Sequence, residues 1–139
     1  MIVIHHNPDC GTSRNVLGII QAAGYEPVIV DYLKEGWTRS QLQGLLAAAG
    51  LKPSDALRKT KSPAKELGLL KENLSEAHIM DCMLDHPILV NRPIVCTKKG
   101  VKLCRPSEAV LDLLENKPTG PFHKEDGELL IDEQGQICV

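Results

Sequence analysis

The sequence predicts an α/β fold, a mixed sheet flanked by helices with an inserted helical portion. Three observations predict it. The chain opens with an apolar strand pattern, an amphipathic helical stretch and a second strand pattern. It closes with two adjoining strand patterns and a further helical stretch. Between them, from about 34 to 86, the sequence reads as helices and polar connections. A β-α-β opening favours a right-handed crossover, and so a parallel strand pair.

Ile2 to His6 reads as the first strand, broken by Asn7-Pro8-Asp9. A helix follows from Thr12 or Ser13, with Val16, Ile19, Ile20 and Ala23 on one face and Gly24 ending it. Pro27 to Asp31 reads as the second strand. Thr38 with Gln41 three residues on is a capping-box signature for a helix carrying Leu42, Leu45, Leu46 and Ala49, closed by Gly50. From Leu51 to Leu74 the chain is polar and interrupted by Pro53, Pro63 and Gly68. Ser75 starts a helix with Ile79, Met83 and Leu84 inward, stopped before Pro87. Ile94–Thr97 and Val101–Cys104 read as a hairpin joined by Lys98-Lys99-Gly100. A last helix spans about Ser107 to Leu114, with Val110, Leu111 and Leu114 inward. The tail is polar and charged, with Leu129-Leu130-Ile131 as a docking segment. This element order is that of a thioredoxin-like sheet with a helical insert. Element order alone does not assign a function.

The 139 residues fit one domain, read as 1–139 with the insert inside it. Hydrophobic residues make up 42%, enough for a core without a metal or disulfide staple. Aromatics at 3% argue against a base-stacking platform, and a net charge of -2 argues against a global nucleic-acid footprint. No apolar stretch approaches the ~20 residues of a membrane span, and Ile2-Val3-Ile4 follows Met1 with no basic leader. The five cysteines, Cys10, Cys82, Cys96, Cys104 and Cys138, form neither a C-x-x-C nor a zinc pattern. Free thiols in a reducing cytoplasm are the reading. His5, His78, His86 and His123 read as structural or exposed, and no pair has metal-ligand spacing.

Cys10 stands apart because it lies between a strand end and a helix start. A helix N-terminus carries partial positive charge and unpaired N–H groups, which stabilise a thiolate. At an ordinary pKa of ~8.5 only about 3% of a thiol is ionised at pH 7. Gly11 permits close approach of a ligand to the backbone, and Thr12 and Ser13 offer hydroxyl donors and caps. A buried turn cysteine is the plainer reading, and both stand at this stage. The spacing excludes neighbouring chemistries. A C-x5-R phosphatase loop would need arginine where Val16 stands, and a dithiol reductase would need cysteine where Ser13 stands. If Cys10 reacts, an external thiol must complete the cycle.

The stretch His6-Asn7-Pro8-Asp9-Cys10-Gly11-Thr12-Ser13-Arg14-Asn15 resembles the glutaredoxin-coupled arsenate reductase family, the ArsC family. The resemblance continues through Ala56-Leu57-Arg58-Lys59, His86–Val95, Leu103-Cys104-Arg105-Pro106-Ser107-Glu108 and Lys124-Glu125-Asp126-Gly127-Glu128. It implies a thioredoxin-like fold with a helical insert, Cys10 as nucleophile, and Arg58, Arg92 and Arg105 as anion-binding residues. It implies a histidine near the nucleophile at His6 and a cis-proline at Pro93. It further implies arsenate as substrate, glutathione as co-substrate, glutaredoxin as partner and no bound cofactor or metal. The chain departs from the family pattern at Asp9, where a small neutral residue is usual; a carboxylate there opposes anion binding and raises a neighbouring thiol pKa.

Arg14 reads equally as an anion ligand or as support for the cysteine loop, and His6 equally as a thiolate partner or as a backbone-satisfied strand end. Two other readings share the fold. A redox-responsive transcriptional regulator resembling the Spx family usually carries C-x-x-C at this position, which Ser13 removes. A glutathione-dependent thiol reductase would need Cys10 but not the arginines. A monomer is expected.

Overall fold

The computed structural model describes residues 1–138, whose contacts divide into two units: 1–31 with the chain from 92 onward, and 32–91. The first unit is built on a four-stranded mixed sheet. Strand β1 (Val3–His6) pairs in parallel with β2 (Val28–Asp31), from Val3 opposite Val28 to His6 opposite Asp31. On its other side β1 pairs antiparallel with β3 (Ile94–Thr97), which pairs with β4 (Gly100–Leu103). The order is β2-β1-β3-β4. The parallel pair is the one that the β-α-β opening demands, since helix α1 (Gly11–Ala22) fills the crossover.

Side chains of Ile2, Ile4 and Val95 enter one cluster with Val16, Ile19 and Ile20 of α1. Alternate positions on a strand and three- or four-residue steps on a helix bring these residues to a common side. The helix starts at Gly11, one residue before Thr12 and two before Ser13, because Cys10 itself is the N-cap in extended conformation. Gly24 lies past the helix end at φ +93°, where a side chain would be strained. The expected hairpin is present, but Thr97 pairs directly with Gly100, so the turn is Lys98-Lys99 alone.

The segment read as a last α-helix is instead a 3₁₀ helix, Ser107–Leu113. Its turns close at three-residue spacing, as from the Ala109 N–H to the Pro106 carbonyl at 3.0 Å. The winding still buries Val110, Leu111, Leu113 and Leu114. The polar tail forms a second small sheet, β5 (Phe122–His123) with β6 (Leu129–Ile131). Leu130 and Ile131 are buried in the core cluster, while Leu129 faces out.

The second unit is helical. A four-residue helix not foreseen from sequence, α2 (Tyr32–Glu35), precedes α3 (Arg39–Ala48) and α4 (Glu76–Asp85). The capping box of α3 is formed as expected, with the Thr38 hydroxyl accepting from the Gln41 N–H at 3.2 Å. Ser75 caps α4 by accepting from His78 N–H at 3.0 Å. The buried Tyr32 donates its hydroxyl to the Val90 carbonyl at 2.8 Å and stacks on Trp37. Leu57 and Val90 form a bridge, flanked by hydrogen bonds from Arg58 N–H to Leu89 and from Asn91 N–H to Ala56. No helix among the described residues is long and apolar enough to cross a membrane.

Docking of the tail has a measurable consequence. Leu130→Ala removes a fully buried side chain, so urea unfolding should show a loss of about 2–4 kcal/mol. A loss below about 0.5 kcal/mol would place the tail outside the cooperative fold.

Candidate active site

The strand β1 ends in a turn that the sequence fixes locally. Asn7 is buried, its side-chain oxygen accepts from Asp9 N–H at 2.9 Å, and its carbonyl accepts from Cys10 N–H at 3.1 Å. These two bonds wrap the backbone around Pro8 and present Cys10 at the head of α1, where its carbonyl takes the Arg14 N–H at 3.0 Å.

Cys10 is 8% exposed. Burial alone pushes its thiol pKa up, but cationic and N–H donors outweigh burial and bring it down to about 7. The donors are the Arg92 side chain, the Ser13 peptide N–H and the Arg105 side chain, and the charge of Arg92 adds to them. Arg105 reaches the sulfur with Nη1 at 3.7 Å and anchors the same nitrogen on the Arg92 carbonyl at 3.0 Å. Arg92 is itself 6% exposed, and a cation so buried requires anionic company. The peptide bonds after these two arginines, Arg92–Pro93 and Arg105–Pro106, are both cis. The first is the one implied by the resemblance.

The other thiols differ in kind. Burial raises Cys104 to about 12 and also raises Cys96 and Cys82. At a pKa of about 7 roughly half of Cys10 is thiolate at neutral pH, against about 3% for an ordinary thiol. Asp9, expected to work against this, is exposed, and the net shift is downward.

Ser13 and His6 form the floor of the loop. The Ser13 hydroxyl accepts from Asn7 N–H at 3.1 Å and lies 2.6 Å from His6 Nδ1. Burial lowers the His6 pKa, Asp31 partly opposes that, and Arg14 adds to it. The Ser13 hydroxyl and His6 Nδ1 thus share one hydrogen bond. The His6 ring matches neither reading: its Nδ1 engages the Ser13 hydroxyl, and the Ser13 N–H faces the sulfur. The α1 N-cap carries no side-chain cap, so the hydroxyls of Thr12 and Ser13 are not used as caps.

Arg14 resolves toward support. Its Nη1 donates to the Pro8 carbonyl at 2.7 Å and its Nε to both Glu125 oxygens at 3.0 and 2.8 Å. A Cβ added to Gly11 would make only ordinary contacts, at 3.8 Å or beyond, so crowding by the protein does not require glycine there. Arg58 belongs to the helical unit, half-buried, with its carbonyl accepting from the Ser62 hydroxyl. The first unit thus gathers Cys10, Arg92, Arg105, His6, Ser13 and Arg14. Two supporting residues were not singled out from sequence: Asn7, for which the Asn-Pro turn was the available signal, and Glu125, for which local pattern gave none. Among the described residues no group of three or more histidine, cysteine or acidic side chains is placed to hold a metal ion.

The ArsC family model matches residues 5–113, and the chain belongs to that family. It is 69% identical over 135 residues to the arsenate reductase ArsI2 of Synechocystis sp., covering 97% of this chain and 96% of that protein. It is 49% identical over 135 residues to an arsenate reductase of Escherichia coli, with the same coverage of both chains. Among solved structures, an arsenate reductase from Vibrio cholerae superposes with a TM-score of 0.76 at 33% identity, covering 81% of this chain and 97% of that one. The thioredoxin-like fold expected from the element order is thereby established.

Iodoacetamide alkylation followed against pH should show Cys10 titrating with a midpoint near 7. Arg105→Ala removes a cationic donor to the thiolate, so the midpoint should rise, by about 0.5–1 unit. A wild-type midpoint at an ordinary thiol value would contradict the electrostatic reading of the site.

Proposed function

We propose that this chain reduces arsenate to arsenite, with Cys10 as nucleophile and Arg92 and Arg105 as the groups that hold the oxyanion against it. One observation carries the reading: the Arg105 guanidinium stands 3.7 Å from the Cys10 sulfur, which Arg92 and the Ser13 N–H also hold, and the thiol falls to about 7. Donors that stabilise a thiolate also suit an incoming tetrahedral anion, because guanidinium forks onto oxyanions and stays charged. The relatives' names supply the identity of the anion. Arg58 is the third cation in this reading, on the strength of the family resemblance.

The Cys10 thiolate attacks arsenic(V) and displaces hydroxide, which leaves as water after protonation. Arsenic remains pentavalent in this thiolate ester. Glutathione displaces a second hydroxide and places its sulfur on arsenic. Glutaredoxin thiolate then attacks that glutathione sulfur. The sulfur–arsenic bond pair stays on arsenic, which becomes trivalent, and a glutaredoxin–glutathione disulfide departs. Water finally releases arsenite and returns Cys10 to the thiol form. An external thiol fits a chain with serine, not cysteine, three residues after the nucleophile. All five cysteines are free, in keeping with a reducing cytoplasm, and the working unit is a monomer of one thioredoxin-like domain in which 32–91 is an insert.

The test is arsenate-dependent NADPH oxidation with glutathione, glutaredoxin and glutathione reductase present. Cys10→Ser should abolish turnover, and Arg92→Ala and Arg58→Ala should each lower kcat/KM by at least ~100-fold while the fold persists by circular dichroism. Turnover that survives Cys10→Ser would end the proposal. Turnover that survives Arg58→Ala would remove that residue alone.

A further inference from the structure

The tail is built against the nucleophile loop. Its β5–β6 connection closes on itself through Lys124 N–H to the Glu128 carbonyl at 2.9 Å and Gly127 N–H to the Lys124 carbonyl at 2.9 Å. It is anchored at both ends: Leu130 and Ile131 are in the core, and the Phe122 ring lies so close to Gly18 that an added Cβ would meet it at 3.1 Å. Between these anchors Glu125 faces the first turn of α1. Its backbone N–H donates to the Asn15 side-chain oxygen at 3.1 Å, and its carboxylate takes Arg14 Nε on both oxygens. The pair stands one residue from the nucleophile, since a Cβ on Gly11 would lie 3.8 Å from Arg14 Nη2 and 3.9 Å from Glu125 Oε1.

This arrangement raises a question of charge. Arg14 is a guanidinium in the first turn of the catalytic helix, and it feels the Cys10 thiolate and Asp9 as well as Glu125. Left uncompensated, it would be another cation beside an oxyanion pocket that already contains Arg92 and Arg105. Excess cation tightens the resting anion complex, and uniform tightening of anions does nothing for the chemical step. It would also favour phosphate, which shares shape and charge with arsenate but is not reduced by thiols.

We propose that Glu125 is a positioning residue that sets the anion affinity of the site, by neutralising Arg14 and holding it on the Pro8 carbonyl as loop support. This rests on the reading of Cys10 as the site of oxyanion attack. The charged groups involved are Arg14, Glu125 and Asp9 at the loop, and Arg92 and Arg105 behind the sulfur.

Glu125→Gln keeps the shape and an oxygen for Arg14 but removes the charge. Phosphate should then compete about two- to fivefold more tightly, the scale of one exposed ion pair. The alkylation midpoint of Cys10 should fall by ~0.2–0.7 unit in the same variant. The double variant Arg14→Gln/Glu125→Gln replaces an ion pair with a neutral pair, and both quantities should move back from the single variant's values toward those of the wild type. Unchanged phosphate competition and midpoint in Glu125→Gln would overturn the proposal, and so would a double variant that keeps the single variant's change. A merely structural role for Glu125 would lower thermal stability without moving either readout in this reversible way. The alkylation arm needs no substrate, so it decides the role of Glu125 even if wild-type protein failed to turn over arsenate.

Discussion

In the proposed function a thiolate must meet a dianion, and that constraint organises the site. At about 4 Å and an effective dielectric near 20, each pair of unit charges repels by about 4 kcal/mol, so the approach meets roughly 8 kcal/mol. A helix N-terminus offsets only ~1–2 kcal/mol of that. The remainder needs fixed cations, and these must be in place before the anion arrives. In that proposal Arg92 and Arg105, which hold the Cys10 sulfur in the free protein, are those cations. The same contacts answer two needs. They ionise the thiol near neutral pH, and they keep a buried guanidinium in favourable company.

The fold delivers these groups from distant parts of the chain. Cys10 follows β1, and Arg92 precedes β3, the antiparallel neighbour of β1. Arg105 follows β4, the next strand along. Adjacent strand termini therefore converge although the arginines are 82 and 95 residues from Cys10 by subtraction of their positions. Around the sulfur, local bonding removes freedom: Asn7 shapes the turn, Ser13 is pinned by His6 and Asn7, and Arg14 holds the Pro8 carbonyl. Preorganisation of this kind keeps donors aimed without reorganisation during the reaction.

Much of this was legible in the sequence, and what was not has physical causes. Periodicity located β1, α1, α3 and α4, which bury one side, and apolar runs bounded by turn residues located β2 to β4. The short α2 has no sequence signal because four residues carry no helical period, and inward positions at 110, 111 and 114 do not separate an α from a 3₁₀ winding at Ser107–Leu113. Cys10 stands out from its place between strand and helix. The arginines did not, since an isolated arginine has no sequence signature, and only the family resemblance pointed to them. The partners of Arg14 and His6 come from residues 6 to 125, which local reading does not reach.

The central claim is that one sulfur and its arginines form a single anion-binding unit. A crystal of the protein soaked in arsenate tests it most directly. The account predicts arsenic bonded to Cys10 Sγ, with its oxygens at about 2.7–3.0 Å from guanidinium nitrogens of Arg92 and Arg105. Arsenic bound elsewhere, or attached to Cys10 with both guanidinium groups turned away, would contradict it.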